Sequence, residues 1–248
     1  MRKPLIAVLT GALVLAFAAV AFAQVTNTYS VTASLSPTKA GTTKKPVPIG
    51  LKFNYQVGEQ NNQRPAVEIA YSIQIDGIKS NGGLFAKCTA AQINAAGSDA
   101  SCASGAKVGS GNVENIAGAT NNPSDKSQQC HLDLTEYNGG KGLLTLYLSG
   151  GPPTCPLSVS VAIQARFIKN AKGEAIKFAV PNSLGHPIAN FDNSVVQTTT
   201  SLSKRVAKGH GYLESVGGCK GGKRLVSVTF TPETGSPTTS TTNAKCTA

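Results

Sequence analysis

Histidines and carboxylates are the residues of this chain whose chemistry could serve catalysis, and they are few and scattered. The chain contains three histidines and 12 acidic residues. Such side chains transfer protons in many hydrolases, most directly when two of them face one cleft. Asp133 and Glu136 are three residues apart in a segment that alternates like a strand, so their side chains are expected on opposite faces of a sheet. His131 and His210 stand alone, which is typical of surface or structural histidines. The sequence therefore predicts no catalytic residue.

The short motifs of nucleophilic, nucleotide and metal chemistry are incomplete. The nearest match to the G-x-S-x-G motif of serine hydrolases has Leu213 in place of the first glycine. Gly109-Ser110-Gly111 begins like a dinucleotide-binding loop but lacks the third glycine. The sequence has neither closely spaced Cys and His pairs nor a D-x-D-x-D-G loop, so it predicts no metal site and no cofactor. A secreted hydrolase whose carboxylates or Ser/His pair meet only in the fold is the alternative.

The six cysteines are a second feature with defined chemistry, because an even number in an exported chain favours disulfides. Six cysteines allow many pairings, and the sequence alone does not choose among them. Pairing each cysteine with the next one along the chain closes the shortest loops and is our prediction. The predicted bridges are Cys88–Cys102, Cys130–Cys155 and Cys219–Cys246. The first would close a loop of about 15 residues and contribute about 3 kcal/mol by restricting the unfolded chain.

The N-terminus has the three parts of a secretory signal. Arg2 and Lys3 supply positive charge, residues 4–22 are almost entirely apolar, and small residues stand at the −3 and −1 positions of a cleavage site before Gln24. We therefore expect residues 1–23 to be removed as a signal peptide. The mature chain contains no apolar run of transmembrane length, and we expect it to be extracellular or to stay at the cell envelope. A retained membrane anchor is the alternative.

Positive charge is the feature that points to a partner. The chain has 23 Lys and Arg residues against 12 Asp and Glu residues. They concentrate in two segments, residues 39–52 and 204–224. The basic residues of these segments are Lys39, Lys44, Lys45, Lys52, Lys204, Arg205, Lys208, Lys220, Lys223 and Arg224. They predict an anionic partner, which outside a bacterial cell means wall polymers or lipid head groups, and no nucleic acid is expected. A solvated surface that keeps the protein soluble is the alternative.

These residues must be positioned mainly by strands, since the dominant hydrophobic period is two. The alternating segments are residues 28–35, 51–57, 67–75, 132–137, 143–148, 157–167, 175–180, 195–202 and 226–230. Asn138-Gly139-Gly140 is predicted to turn one hairpin, and residues 170–173 a second. The pattern predicts an all-β fold, an antiparallel β-sandwich of the jelly-roll or immunoglobulin-like kind that is stapled by disulfides.

One short helix and a polar tail complete the predicted organisation. Thr89 and Gln92 fit a capping box at the start of a helix over residues 90–96, and Gly97 ends it. Residues 24–230 are predicted to form the β-sandwich domain. Residues 231–248 are rich in Thr, Ser and Pro and are predicted to be an extended or mobile tail that is tied down through Cys246.

Several segments resemble a cassette found in uncharacterised exported proteins of actinobacteria. In those relatives a Cys-x-x-x-x-Leu/Ile segment leads to a second Cys and then to a Val-Gly-Ser/Thr-Gly strand. Here Cys88 and Cys102 occupy the two cysteine positions, Ala103 stands where proline is usual, and Val108-Gly109-Ser110-Gly111 supplies the strand. The similar segments are residues 85–93, 102–111, 117–123 and 214–224. The resemblance implies an exported β-rich domain and brings no catalytic residues, because no activity is assigned to the family.

The export signal, the cysteines and the incomplete motifs together predict the class of function. We expect a non-enzymatic structural or binding module that acts at the cell envelope or in the medium. The sequence specifies neither its ligand nor its oligomeric state.

Overall fold

The computed structural model describes residues 27–59 and 61–247. The predicted signal peptide, residues 1–23, lies outside these ranges. Strands make up most of the described chain, and within it the structure contains no helix that is long and apolar enough to span a membrane.

The described residues form fifteen strands. In chain order they are β1 (Asn27–Ser36), β2 (Val47–Glu59), β3 (Glu68–Asp76), β4 (Ile78–Ser80), β5 (Lys107–Ala119), β6 (Gln128–Gly140), β7 (Leu143–Gly150), β8 (Val159–Asn170), β9 (Gly173–Ala179), β10 (Phe191–Leu202), β11 (Val206–Ala207), β12 (His210–Gly211), β13 (Leu213–Ser215), β14 (Lys223–Pro232) and β15 (Thr238–Lys245). Each segment that alternates in the sequence coincides with one of these strands or overlaps it. The predicted all-β fold is therefore confirmed.

Thirteen of the strands form one antiparallel sheet in the order β15-β14-β3-β9-β8-β7-β6-β5-β10-β2-β13-β4, with β1 paired to β2. Its middle is a meander of five consecutive strands, β5 to β9, and β11 and β12 form a separate small hairpin. The sheet folds over on itself so that its inner faces meet: Tyr55 of β2 packs on Tyr71 of β3 with ring centroids 5.4 Å apart. This is the predicted β-sandwich.

The core lies between the two inner faces. Along β14 the side chains of Val226, Val228 and Phe230 are fully buried, whereas the residues between them are partly exposed. Burying one such side chain stabilises a fold by about 1.5 to 3 kcal/mol. The alternation in the sequence therefore determines which face of each strand points inward.

The described residues form two α-helices, and both are short. Helix α1 (Ala90–Ala96) has the predicted capping box: the Thr89 Oγ1 accepts a hydrogen bond from the Gln92 backbone N–H, and the Gln92 Oε1 accepts one from the Thr89 N–H. Gly97 ends the helix with a φ of 67°, which favours glycine. Helix α2 (Asn182–Gly185) is a single turn that follows β9.

All six cysteines form disulfides, and the sequential pairing is confirmed. The bridges are Cys88–Cys102, Cys130–Cys155 and Cys219–Cys246. The first connects the segment before α1 to the segment after it. The third connects the residues before β14 to the end of β15.

Two local predictions differ from the structure. The β6–β7 hairpin turns at Lys141 and Gly142, because the predicted turn residue Asn138 is buried and its Nδ2 donates to the Gly82 and Ala86 carbonyl oxygens. In the tail, residues 238–245 form β15, which pairs with β14 along its whole length. Threonine is common in strands, and the backbone hydrogen bonds of this pairing do not need apolar side chains.

Candidate functional site

A cleft of about 720 Å³ opens at one end of the sandwich, where β3 ends and the β8–β9 hairpin turns. Lys79, Lys169 and Lys172 line it, and all three are exposed. Thr43 and Gly217–Gly218 form other parts of the wall. We call this surface the lysine cleft. Its lining thus includes residues close in sequence to both predicted basic segments.

Backbone hydrogen bonds fasten the walls of the lysine cleft to one another. The Gly77 N–H donates to the Lys172 carbonyl oxygen at 2.6 Å, and the Val216 N–H donates to the Gly77 carbonyl oxygen at 2.8 Å. Gly77 and Gly218 have φ values of 66° and 74°. A Cβ on Gly77 would lie 2.2 Å from the Gly217 carbonyl carbon, so only glycine allows the two segments to approach this closely. The cleft therefore has a fixed base.

The lysine cleft contains charges of both signs, and they differ in whether they are paired. The Nζ of Lys79 is 3.8 Å from Oε2 of Glu214. Among the described residues, Lys169 and Lys172 make no ion pair within 4.0 Å. Asp76 and Glu174 also line the cleft, but Oε2 of Glu174 accepts the Ser80 backbone N–H at 2.8 Å. Two exposed ammonium groups are thus available for an anionic group to approach.

Further lysines stand close in sequence to the walls. The tight turn from Thr42 to Lys45 carries Lys44 and Lys45 beside Thr43. On the other side, Gly218 leads to Cys219 and then to Lys220, which bridges to Lys223. We call Lys44, Lys45 and Lys220 the rim of the lysine cleft.

A like-charge pair lies next to the rim. Lys223 of β14 and Lys245 of β15 are directly opposite each other in the antiparallel ladder, and both are exposed. Lys39 forms a parallel bridge with Thr247, two residues after Lys245. Like charges in opposed positions destabilise a sheet. This end of the sandwich therefore concentrates positive charge.

Four of the predicted basic residues lie elsewhere. Lys52 of β2 is opposite Ser201 of β10, and Lys204 follows the end of β10. Arg205 donates to the Lys107 carbonyl oxygen at 3.1 Å, and Lys208 is in the β11–β12 hairpin. None of the ten predicted basic residues is among those that line the lysine cleft. The two predicted segments are thus only partly brought together.

Arg224 requires a correction, because it is not available to an external anion. Its side chain is 1% exposed and donates to the Asp76 carbonyl oxygen and to Oγ of Ser215. Burial lowers the pKa of its guanidinium. The reason is the alternation of β14, which places Arg224 on the same inward face as Val226. Arg224 holds the end of β3 to β13.

The histidines all contact carboxylates. The Nδ1 of His186 is 3.1 Å from Oδ1 of Asp192, and its Nε2 is 3.1 Å from Oε2 of Glu233. Asp192 also pairs with the buried Arg64 at 3.3 Å. Both ring nitrogens of His186 thus face carboxylates, and neither is free to accept the proton of a nucleophilic hydroxyl. His131 and His210 likewise direct Nδ1 at a glutamate.

The predicted separation of Asp133 and Glu136 is confirmed. The side chain of Asp133 is 79% exposed, whereas Glu136 is 3% exposed and points into the core. These two carboxylates therefore cannot face the same substrate. Among the described residues, no group of three or more His, Cys, Asp and Glu side chains has the arrangement of a metal site.

Sequence reasoning missed the three lysines that line the cleft. Lys79 is isolated in the sequence. Lys169 precedes the predicted turn at residues 170–173 and Lys172 lies within it, and the two do not form a basic run. The predicted β8–β9 hairpin is the sequence feature that could have located Lys169 and Lys172, because its tip brings both lysines to one end of the sheet. Their meeting with Lys79 depends on the hydrogen bond from the Gly77 N–H to the Lys172 carbonyl oxygen, which no local pattern predicts.

The comparisons with known proteins add no identity. No protein family, curated protein or solved structure matches this chain. The resemblance to exported actinobacterial proteins therefore stays a prediction.

Proposed function

We propose that the protein is an exported, non-enzymatic binding module that holds an anionic wall polymer in its lysine cleft. The observation that carries this proposal is the convergence of Lys79, Lys169 and Lys172 on one cleft with a fixed base. Ammonium groups bind phosphate and carboxylate oxygens as point charges, without the fixed geometry that arginine imposes. Such a surface suits a polymer with repeated charges better than one small ligand.

The compartment is proposed from two features. Three disulfides are compatible with an oxidising environment outside the cytoplasm. The sequence pattern of residues 1–23 is that of a cleaved secretory signal. N-terminal sequencing of the protein recovered from culture medium or envelope should begin at Gln24. An N-terminus at Met1 in the envelope fraction would instead indicate a retained anchor.

The shape of the site favours a polymer over a membrane surface. Lys79, Lys169 and Lys172 line a cleft rather than a flat surface, so a flexible chain that enters the cleft can contact all three. A chain of glycerol phosphate units can lie in the cleft and also reach Lys44, Lys45 or Lys220. Lipid head groups are therefore the second outcome of the test.

The test is a binding isotherm with synthetic poly(glycerol phosphate) at low and high salt. Exposed charges are screened over about 8 Å at physiological ionic strength, so the affinity should fall steeply as salt rises. The variant Lys79→Ser/Lys169→Ser/Lys172→Ser should bind about tenfold more weakly or worse, since each exposed ion pair contributes up to about 1 kcal/mol.

A matched control distinguishes binding in the lysine cleft from binding through the net charge of the protein. Lys52→Ser/Lys204→Ser/Lys208→Ser removes the same charge from exposed residues outside the cleft. If both triple variants lose the same affinity, the protein binds through net charge only and the cleft has no role. Binding to phosphatidylglycerol vesicles without binding to the polymer would favour lipid head groups. Shortening of the polymer during incubation would favour the hydrolase alternative.

A further inference from the structure

Two cavities adjoin in the interior of the described sandwich, and the first lies toward the end opposite the lysine cleft. A cavity of about 80 Å³ and a second of about 60 Å³ share the lining residues Tyr55, Leu146 and Thr198. A cavity of this size holds more than one water molecule, each of which needs about 10 to 15 Å³ by the same measure. Both cavities are lined mostly by apolar side chains, and Glu136 lines the second.

A surface groove of about 440 Å³ adjoins the first cavity and shares Leu132, Leu184 and Asn193 with it. We call the two cavities and this groove together the interior path. Leu157 and Ile188 line this groove and are 40% and 54% exposed. Because both side chains line the same groove, a ligand lying in it would cover them together. Leu184, in α2, stands where the groove meets the first cavity.

Buried polar atoms without partners line the interior path. Among the described residues, the Tyr71 hydroxyl, Thr198 Oγ1 and Glu68 Oε2 have no hydrogen-bond partner, although all three residues are buried. The Tyr55 hydroxyl lies near Thr198 and Tyr71, but the hydroxyls of Thr198 and Tyr71 remain outside hydrogen-bond geometry. An unpaired buried polar group costs about 1 to 3 kcal/mol. A ligand with a hydrogen-bonding group would offset this cost.

The charge of the lining restricts the ligand. Glu68 and Glu136 line the two cavities, and among the described residues no lysine, arginine or histidine lines either cavity or the groove. Burial raises the pKa of Glu136 to about 7, with Thr200 opposing the shift. Burial also raises the pKa of Glu68. A carboxylate or phosphate would enter a region without a compensating cation, so it would be strongly disfavoured.

We propose that this path binds an uncharged single-chain amphiphile, with its hydroxyl group beside Thr198 and Tyr71 and its alkyl chain extending past Leu184 into the groove. The chain covers the exposed side chains of Leu157 and Ile188. The hydroxyl both donates and accepts, so it can pair with two of the unpartnered atoms at once. This site is independent of the lysine cleft, because the two lie at opposite ends of β3.

The direct test compares 1-decanol with decanoate at about pH 8, where decanoate is ionised. Both are measured by calorimetry and by displacement of a fluorescent apolar probe. Decanol should bind at least about tenfold more tightly, since the carboxylate loses its hydration without gaining a cation. Equal affinities for the two would overturn the assignment of an uncharged ligand. No binding of decanol would overturn the proposal.

Two variants locate the ligand. Leu184→Trp places a bulky ring between the groove and the cavity and should abolish decanol binding, whereas Leu84→Trp, at an exposed leucine far from the path in sequence, should leave it unchanged. Unchanged binding by Leu184→Trp would place the ligand elsewhere.

Thr198→Val preserves the shape of the side chain and removes the hydroxyl. Decanol affinity should fall about threefold to tenfold, the range expected for loss of one hydrogen bond. The variant should unfold at the same temperature as the wild type or higher, because an unpaired buried hydroxyl has been removed. Full decanol affinity in this variant would show that the hydroxyl does not bind at Thr198.

Discussion

Glu68 and Asp76 are the first and last residues of β3 and belong to different sites. Glu68 lines the interior cavity and Asp76 lines the lysine cleft. A strand advances about 3.3 Å per residue, so roughly 26 Å separate their Cα atoms. Substitutions at one site therefore should not perturb the other directly, and the two binding proposals can fail independently.

Glu136 should make the stability of the protein depend on pH. Its pKa is raised by burial from an ordinary value of 4.5 to about 7 in the folded protein. The native state therefore binds more protons than the unfolded state between these two values, and the stability contribution falls as pH rises through that window. From about pH 5 to about pH 8 the free energy of unfolding should drop by about 2 kcal/mol.

Glu136→Gln is the matched control for this effect. Glutamine keeps the size of the side chain and does not ionise, so urea unfolding of the variant should show a flatter pH dependence than the wild type. Burial raises the pKa of Glu68 as well, and a residual slope of the same sign is expected from it. Parallel pH profiles for the two proteins would mean that Glu136 is not the titrating group.

The secondary structure follows from the sequence where one face of an element is apolar. β14 alternates so strictly that even Arg224 could have been assigned to the inward face, because it is two residues before Val226. β15 could not be assigned in this way, since its residues are polar on both faces and its pairing with β14 determines its structure. Short-range patterns of this kind predict elements and caps.

The candidate sites depend on contacts between distant segments. Lys79 meets Lys169 and Lys172 only because the β3–β4 and β8–β9 connections are hydrogen-bonded to each other through Gly77. The interior path depends in the same way on how the inner faces pack around Thr198. Neither arrangement has a signature within one segment.

The Cys219–Cys246 bridge should hold β15 on the sheet. The two cysteines are 27 residues apart, and closing a loop of that length contributes about 3.5 kcal/mol in the chain-entropy description. In Cys219→Ser/Cys246→Ser we expect a loss of stability of that order. Hydrogen exchange of residues 238–245 should accelerate, because β15 is an edge strand with few apolar contacts.

Cys88→Ser/Cys102→Ser serves as the comparison for β15. It removes a bridge of similar kind around α1, so exchange should accelerate at residues 90–96 while β15 keeps its protection. If β15 is equally protected in both variants, the pairing with β14 alone holds the strand.

Arg224 and Lys223 are neighbours in the sequence with opposite roles. Arg224→Met should destabilise the protein by about 3 kcal/mol, since Oγ of Ser215 and the Asp76 carbonyl oxygen lose their buried partner. Its affinity for poly(glycerol phosphate) should not change at a temperature where the variant is folded. Lys223→Ser should behave in the reverse way, with stability equal to or slightly above that of the wild type and weaker binding. A binding defect in folded Arg224→Met would indicate that Arg224 contributes to anion binding, as the sequence predicted.

Substitution of Lys245, one of the two opposed lysines, should change the stability of the protein and its affinity for poly(glycerol phosphate) in opposite directions. Lys223 and Lys245 face each other across the β14–β15 ladder, and like charges in such positions destabilise the pair. Lys245→Glu converts the repulsion into an attraction and should raise the free energy of unfolding by about 0.5 kcal/mol at low salt. The same change removes positive charge near the rim of the lysine cleft, so affinity for poly(glycerol phosphate) should fall.

Lys245→Gln, which only removes the repulsion, should give about half of each effect. Both differences should shrink at high salt because the charges are exposed and screened. If Lys245→Glu is less stable than the wild type at low salt, a nearby acidic side chain must already compensate the charges of the two lysines. Their positive charge would then not be available to an anionic partner.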